Sequence, residues 1–481
     1  MSFIERSTVR VEQQRPPALR RRRPLPFYLR HNLCLQIIAV LAFVAAVPLC
    51  LYVSRYADWD AEYCSWPPTH ERDQDRDLRM LLYGDPQIRG NGPRGHDPDL
   101  RTKLDIFGND HFLGTVYRTL AKQLKPTHIV VLGDLISSQW IDDAEFARRA
   151  RRFRNRIFEH PLKGAKGAPP VFWNLSGNHD IGYAHEVTDD RARRFEEHYG
   201  KLNFAVYADG YRAIVFNAMS IDGDPDDSEY GQSRHTLETR EFLKQQMETE
   251  FWGTTILFMH VPLHKEAGVC VDDPYFSYYD PDSRRLIREQ NMLSPETSSW
   301  LLDGFFTDGG HGFVVNGHDH EGCLVNHIKL MNGWVAEPIS KGKTTYRHSF
   351  SPEPDESVVE ITVRSMMGQF GGNVGLLKGF YQENNDDVTK FTFSLCTFGP
   401  QHTWWAATIT FYLALIAGIL SFIVFPLLII NRPPLYTRSR RESSPLLASE
   451  ISILQSFSAA ANRIAKLPAA AETAGARGKL E

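Results

Sequence analysis

The chain reads as an α/β domain held between two membrane-crossing helices. Three observations carry that reading. Two long apolar runs carry no charge, β-rich runs alternate with helix-like stretches between them, and five of those runs end in Asp, Asn, Gln or His.

The first run, CLQIIAVLAFVAAVPLCLYV at 34–53, is uncharged over 20 positions, and the second, 404–430, is uncharged over 27. Each can cross ~30 Å of hydrocarbon at 1.5 Å per residue. Buried helices of soluble cores seldom run so long without a charge. The first run also exceeds the roughly 7–15 apolar residues of a secretory signal. The flanks set the orientation. Residues 1–30 hold eight Arg against Glu5 and Glu12, a net +6, and 431–481 are about +4. With a whole-chain charge of −4, about −14 is left for 55–402. Basic flanks stay cytosolic. The expected layout is therefore a basic cytosolic tail (1–33), a span (34–53), a lumenal or extracellular domain (54–403), a second span (404–430) and a partly disordered cytosolic tail (431–481). An acidic middle of this kind excludes nucleic-acid binding by bulk charge.

Six cysteines follow the same division. Cys34 and Cys50 lie in the first run. Cys64, Cys270, Cys323 and Cys396 lie in the middle, where an oxidising compartment allows three pairings. Cys64 and Cys396 each sit just inside a span, so their pairing is expected, leaving Cys270 with Cys323. Free buried thiols are the alternative. No CxxC spacing suggests zinc.

Within the middle, β-rich runs fall at 80–84, 128–133, 171–176, 212–220, 254–260, 312–317 and 357–367, with helix-like stretches at about 110–125 and 142–159. The early strands are nearly continuous hydrophobes, as in strands buried on both faces. Helical crossovers imply a largely parallel sheet, with the later strands mixed or antiparallel. Segments 88–109, 181–200 and 263–293 read as polar surface loops beside the strand ends, where α/β proteins bind ligands.

The strand ends carry the chemistry. GDPQ supplies Asp85 and Gln87, and GD supplies Asp134. GNHD supplies Asn178, His179 and Asp180. A later strand ends in His260, and NGHDH supplies His318 and His320. Each motif alone is weak, since a GD after a strand is commonly a helix cap or a turn. Together, five strand ends in chain order converge on one sheet edge. Converging carboxylates without cations would force one another's pKa values up. Two divalent ions remove that difficulty, and a mixed oxygen and imidazole set suits Mn²⁺, Fe or Zn²⁺ better than Ca²⁺.

The series GD-x-Q, GD, GNHD, H, GHDH resembles the calcineurin-like metallophosphoesterase signature over about 80–325. GDPQ, GNHDIGY, HVPLH, QNMLSPETS, NGHDHEGC and EITVRS are similar to the membrane-bound branch that remodels glycosylphosphatidylinositol (GPI) anchors. That resemblance implies a four-layer α/β/β/α sandwich of two mixed sheets, flanked by two transmembrane helices. It implies an ER-membrane enzyme with a lumenal catalytic domain, both termini cytosolic and two metal ions, taken as Mn²⁺. Its reaction would remove ethanolamine phosphate from a mannose of the anchor glycan during GPI-protein transport. GPI glycolipid or GPI-anchored proteins would be its partners, with ER-exit cargo machinery a further one. Asp85, Gln87 and His320 would hold one ion, and Asn178, His260 and His318 the other, with Asp134 bridging. His179 would be the acid on the phosphate side, oriented by Asp180. Gln87 stands where the commonest superfamily form has histidine. Its amide oxygen is a weaker, harder ligand, which loosens that ion and favours Mn²⁺ or Mg²⁺ over Zn²⁺.

Two alternatives share the fold. One is a phosphatase with another lumenal phosphoester substrate, and the other a non-catalytic membrane cargo adaptor. Golgi or vacuolar membranes are the alternative location. Weaker features complete the reading. His185, His264 and His327 lie near the motifs, where lining a substrate groove is the alternative to the surface or supporting roles expected of them. The aromatics of 272–280 suit sugar stacking or loop packing. Asn174 opens an N-x-S sequon inside a strand, where glycosylation does not fit. ESSPLL (442–447) has the form of a sorting signal, and 449–467 forms either an amphipathic helix or a disordered tail.

Overall fold

The near-continuous hydrophobic runs become strands whose two faces feed two different cores, and that arrangement sets the layers. The computed structural model describes residues 25–54, 62–68, 77–91, 99–159, 164, 167–208, 210–222, 234–271, 292–340, 346–352, 357–381, 388–424 and 426–427. The expectations for the basic N-terminal segment before residue 25, the aromatic stretch 272–280, the sorting-like 442–447 and the helix at 449–467 lie outside the described residues. The chain divides into two units, with 50–407 in one and the flanking segments in the other.

Helix α1 (Leu25–Ser54) carries the first apolar run. The middle then runs β1 (Leu78–Tyr83), α2 (Leu100–Leu124), β2 (His128–Val131), α3 (Asp143–Arg152), β3 (Val171–Asn174), α4 (Asp189–Tyr199), β4 (Phe204–Ala208) and β5 (Tyr211–Val215). It continues with α5 (Arg234–Glu248), β6 (Thr254–Phe258), α6 (Pro295–Phe306) and β7 (Gly312–Asn316). Six more strands follow: β8 (Cys323–Leu330), β9 (Gly333–Ser340), β10 (Tyr346–Phe350), β11 (Ser357–Thr362), β12 (Asn373–Tyr381) and β13 (Val388–Thr397). Helix α7 (Gln401–Ile419) carries the second apolar run.

The strands form two mixed sheets, ordered β10-β13-β12-β1-β2-β3 and β4-β5-β6-β7-β11-β8-β9. This is the expected pairing, parallel among the early strands and mixed among the later ones. β1, β2 and β3 are parallel, but β12 runs antiparallel along the other edge of β1. In the second sheet β5, β6, β7 and β11 are parallel, and β8 returns antiparallel. Alternation builds the layers. Met80, Leu82, Val130, Ile256, Phe258, Phe313 and Val315 meet in the core between the sheets. Leu81, Tyr83, Ile129, Val131, Leu257 and Val314 face the outer core with the helices. The result is the expected α/β/β/α sandwich.

Three local expectations change. The stretch 181–200, read as a loop, contains α4, capped by Thr188, whose side chain accepts from Arg191 N. α2 begins at Leu100, ten residues before the expected start. The strand expected at 212–220 stops at Val215, because the Asn217 side chain accepts from Met219 N and turns the chain. Both expected disulfides form, Cys64–Cys396 and Cys270–Cys323. Asn174 is half-buried and donates to Tyr199 O at 3.0 Å, consistent with a structural amide.

Among the described residues, two helices are long and apolar enough to cross a membrane, at Asn32–Leu51 and Gln401–Val424. Only 11% and 17% of their apolar windows are buried, unlike the core helix of a soluble protein.

Candidate metal centre

All seven expected ligands lie just past a strand end, on backbone that has left its ladder. Asp85 and Gln87 follow β1, Asp134 follows β2 and Asn178 follows β3. His260 follows β6, and His318 and His320 follow β7. The first three strands belong to one sheet and the last two to the other. The site therefore joins ends of two sheets, where one edge of one sheet was expected.

The backbone is bent to aim these side chains. Seven non-glycine residues among those described have positive φ. Four are Asp85 (47°), Gln87 (39°), Asp134 (51°) and His318 (67°). L-residues seldom enter this region, and such conformations persist where the surroundings impose them. Gln87 N donates to Asp134 O at 2.8 Å, and Ile88 N to Leu135 O at 3.0 Å, so the first two loops travel together. Gly177 is required by close approach: a Cβ there would collide with Asp134 Oδ1 and lie 2.8 Å from His260 Nε2.

The donor atoms form two groups that share one carboxylate. Those of Asp134, His260 and His318 lie within 4.8 Å of one another, as do those of Asp85, Asp134 and His320. His260 Nε2 is 3.4 Å from Asp134 Oδ1 and 3.2 Å from Asn178 Oδ1. His320 Nε2 is 3.8 Å from Asp85 Oδ1. His260 Nδ1 faces Leu132 O at 2.7 Å. Donating there leaves Nε2 free for the centre, the arrangement in which a backbone carbonyl fixes a metal-binding imidazole. Gln87 Nε2 lies 3.1 Å from Asp134 Oδ2 and 3.3 Å from His320 Nε2. A half-turn of the amide would present its oxygen at the same place.

The residues fit divalent ions on electrostatic grounds. Asp85 and Asp134 are almost wholly buried. Burial pushes the Asp85 carboxyl well above its usual range, and the Asp134 charge adds to the rise. Burial opposes ionisation of Asp134 too, but His179, His260 and His318 outweigh it and hold that carboxyl below its usual range. Burial alone would lower His260, yet Asp134 and Asp85 raise it to about 9. Burial lowers His320 to about 4, keeping its imidazole neutral as a ligand must be. The cluster cannot carry its full negative charge unaided, and divalent cations would supply the missing positive charge.

His179 stands apart from the donor groups. Its backbone N–H donates to Asp134 Oδ1 at 2.8 Å, while its imidazole Nε2 is 3.8 Å from Asp134 Oδ2 and 36% exposed. Asp180 departs from the expected role. Its carboxylate accepts from Gly177 N (2.9 Å), Ile136 N (3.1 Å) and Leu135 N (3.2 Å), so it braces backbone and is not the partner of the His179 imidazole. Burial, with the Asp134 charge, raises its carboxyl to about 7.

Two buried clusters behind the site escaped the sequence reading. Glu360 on β11 is fully buried and accepts from Leu263 N, Asn316 Nδ2 and Lys265 Nζ, with His327 Nε2 at 2.8 Å from Oε2. Leu263 and Lys265 follow His260, and Asn316 precedes His318, so one carboxylate ties both ligand loops. An acid inside VVEIT was the available signal. Arg149 on α3 donates to Glu145 Oε1, Ile88 O, Ser137 Oγ and Asn91 O, clamping the Gln87 loop to the loop after Asp134. One arginine among the four of a charged helix carried no such signal. His327 thus has a supporting role. His264 is half-buried, with Nε2 3.8 Å from Glu266, and the His185 side chain lies outside the described residues.

Comparison with known proteins agrees with the geometry. The family profile described as "Calcineurin-like phosphoesterase" matches residues 78–322. Protein TED1 of Saccharomyces cerevisiae is 33% identical over 414 residues, covering 72% of this chain and 83% of that protein. An uncharacterized protein of Schizosaccharomyces pombe is 29% identical over 392 residues, covering 73% and 81%. Metallophosphoesterase 1 of Danio rerio is 25% identical over 314 residues, covering 62% and 76%.

Proposed function

Because the chain belongs to the calcineurin-like phosphoesterase family, we propose that it removes ethanolamine phosphate from a mannose of the GPI-anchor glycan. The reaction would take place at the lumenal face of the ER membrane, with residues 54–403 as the catalytic domain and both tails cytosolic. GPI-anchored proteins or their glycolipid would be the substrates. ER-exit cargo machinery would be the partner that receives the remodelled product.

The observation that carries the reading is Asp134, shared by two donor groups beside a partly exposed His179. Asp85, Gln87 and His320 would hold one ion, Asn178, His260 and His318 the other, and Asp134 both. Mn²⁺ suits a set that includes an amide and a shared carboxylate. When bound, the pair supplies a nucleophile from water and neutralises charge on the phosphoryl oxygens. The chain does the remaining work. Asp134 accepts from His179 N and so places the imidazole at the rim. From there the His179 ring donates a proton to the departing sugar oxygen, help typically worth ~10²–10⁴-fold. Asp180 fixes the turn that carries Asn178 and His179.

The branch-level substrate rests on the resemblance of GDPQ, GNHDIGY and NGHDHEGC and on two apolar helices that would hold the site near a lipid substrate. The test is anchor-glycan analysis in cells lacking the protein. Anchors should retain ethanolamine phosphate, wild type should restore removal, and His179→Gln should not. Anchors unchanged by loss of the protein would refute this substrate while leaving phosphoester hydrolysis to be assayed on other diesters.

A further inference from the structure

We propose that the N-terminal half of α2 (Leu100–Leu124) is a membrane-docking surface that lies in the lipid headgroup and acyl boundary beside Trp404 and Trp405. The proposal rests on the reading of Gln401–Val424 as a membrane span.

α2 has two unlike faces. Its inward face carries Asn109, Leu113, Val116, Leu120 and Leu124, all buried. The opposite face carries Leu100, Leu104 and Phe107, which are 72%, 56% and 55% exposed. With His111 these residues follow i, i+4, i+7 and i+11, one continuous stripe ~16 Å long at 1.5 Å per residue. Three large apolar side chains in a row opposite the core do not serve the fold, and such stripes mark interaction surfaces.

The stripe continues into the start of the span. Phe107 stacks on His111, with ring centroids 5.7 Å apart, and His111 meets Trp404 edge-on at 5.1 Å. Gly108 leaves room for Trp405, whose indole would collide with any Cβ at that position. This first turn, through Ala407, belongs to the same unit as α2. The chain then runs on directly into the apolar stretch ending at Val424. Adjacent tryptophans at the end of a span sit characteristically at the membrane interface. Residues packed beside them are at the same depth, so the exposed side chains that continue from them meet lipid. At about 100° per residue, Arg101 and Lys103 flank the stripe on either side, in reach of lipid phosphates. An apolar stripe with basic flanks is the pattern of an interfacial helix, and a protein partner would not explain its continuity with the tryptophans of the span.

Site-directed spin labelling of the full chain in phosphatidylcholine nanodiscs tests this. In a background with Cys34→Ala and Cys50→Ala, labels go on Leu100→Cys, Leu104→Cys and Phe107→Cys. Asp105→Cys, on the same turn but off the stripe, is the aqueous control. Leu413→Cys in α7 reports separately on the span. The three stripe labels and the Leu413 label should collide more often with oxygen than with a water-soluble nickel chelate, and the Asp105 label should show the reverse. Stripe labels as open to nickel as Asp105, with Leu413 still shielded, would overturn the proposal while leaving the span intact. Stripe labels shielded from both reagents would mean that a protein, such as a second copy of the chain, covers the face, and would also overturn it. A nickel-accessible Leu413 would remove the span and the proposal together.

Discussion

Replacing Glu360 by Gln should unfold the domain more easily and loosen one of the two metal sites before the other. The carboxylate is fully buried, with Leu263 N at 2.8 Å, Asn316 Nδ2 at 2.7 Å, Lys265 Nζ at 2.7 Å and His327 Nε2 at 2.8 Å. A carboxylate can accept from all of them, whereas an amide offers one acceptor oxygen and turns two hydrogens toward donors. Lys265, almost as buried, would lose its counter-charge. Breaking a buried ion pair by removing one partner costs about 3–5 kcal/mol. The lowered pKa of Glu360 implies a similar size. Burial opposes the Glu360 charge, but Lys265 and His327 outweigh it and hold the carboxyl down at about 2, against 4.5 ordinarily. That difference corresponds to roughly 3 kcal/mol. The folded pKa is depressed, so this stabilisation is complete above about 4.5 and disappears as pH falls toward about 2. Urea unfolding of the full chain in detergent, followed by tryptophan fluorescence, reads both effects. At pH 7 Glu360→Gln should lose about 3 kcal/mol, and its deficit against wild type should shrink as pH falls below about 4.5. A loss under about 1 kcal/mol at pH 7, or a deficit that does not change with pH, would refute the reasoning.

Three further outcomes follow from the same geometry. Isothermal titration of Glu360→Gln with Mn²⁺ should show the tighter of two sites weakened most, since Glu360 ties down the loops of His260 and His318 and not that of Gln87, whose amide already makes its own site the looser one. Gln87→His should bind one ion more tightly and shift selectivity toward Zn²⁺, read by competition with a chromophoric chelator; unchanged selectivity would remove Gln87 from the ligand set. Arg149→Met leaves Glu145 with Arg148 as its remaining ionic partner and removes the side-chain donor to Ile88 O, Asn91 O and Ser137 Oγ. It should cost roughly 1–3 kcal/mol in the unfolding assay and raise the Mn²⁺ concentration needed for half-maximal turnover.

Much of the site was legible because its ligands sit where the chain must leave a buried strand. The runs at 128–133 and 254–260 were read to their polar ends, and those ends carry Asp134 and His260. The strands themselves stop earlier, at Val131 and Phe258, because the next residues bend out of the ladder to aim the ligands. Sheet membership was not legible. Whether β6 pairs beside β2 or faces it from another sheet depends on non-local hydrogen bonds, and both arrangements bury the same apolar alternation. α4 was missed because DDRARRFEEHY is mostly charged. The signal was present in Ala192, Phe195 and Tyr199, buried at helical spacing. Asp180 was misread because the third residue after a glycine turn can brace its own backbone as readily as a neighbouring imidazole.

The central claim is that Asp134 joins two metal sites and His179 acts without binding either ion. Metal content and phosphodiester turnover, measured together on purified full-length chains, test it most directly. Wild type should hold two divalent ions and turn over. His179→Gln should keep both ions and lose turnover by ~10²–10⁴-fold. Asp134→Asn should lose both ions and all turnover. Asp134→Asn retaining two ions, or His179→Gln losing them, would contradict the account.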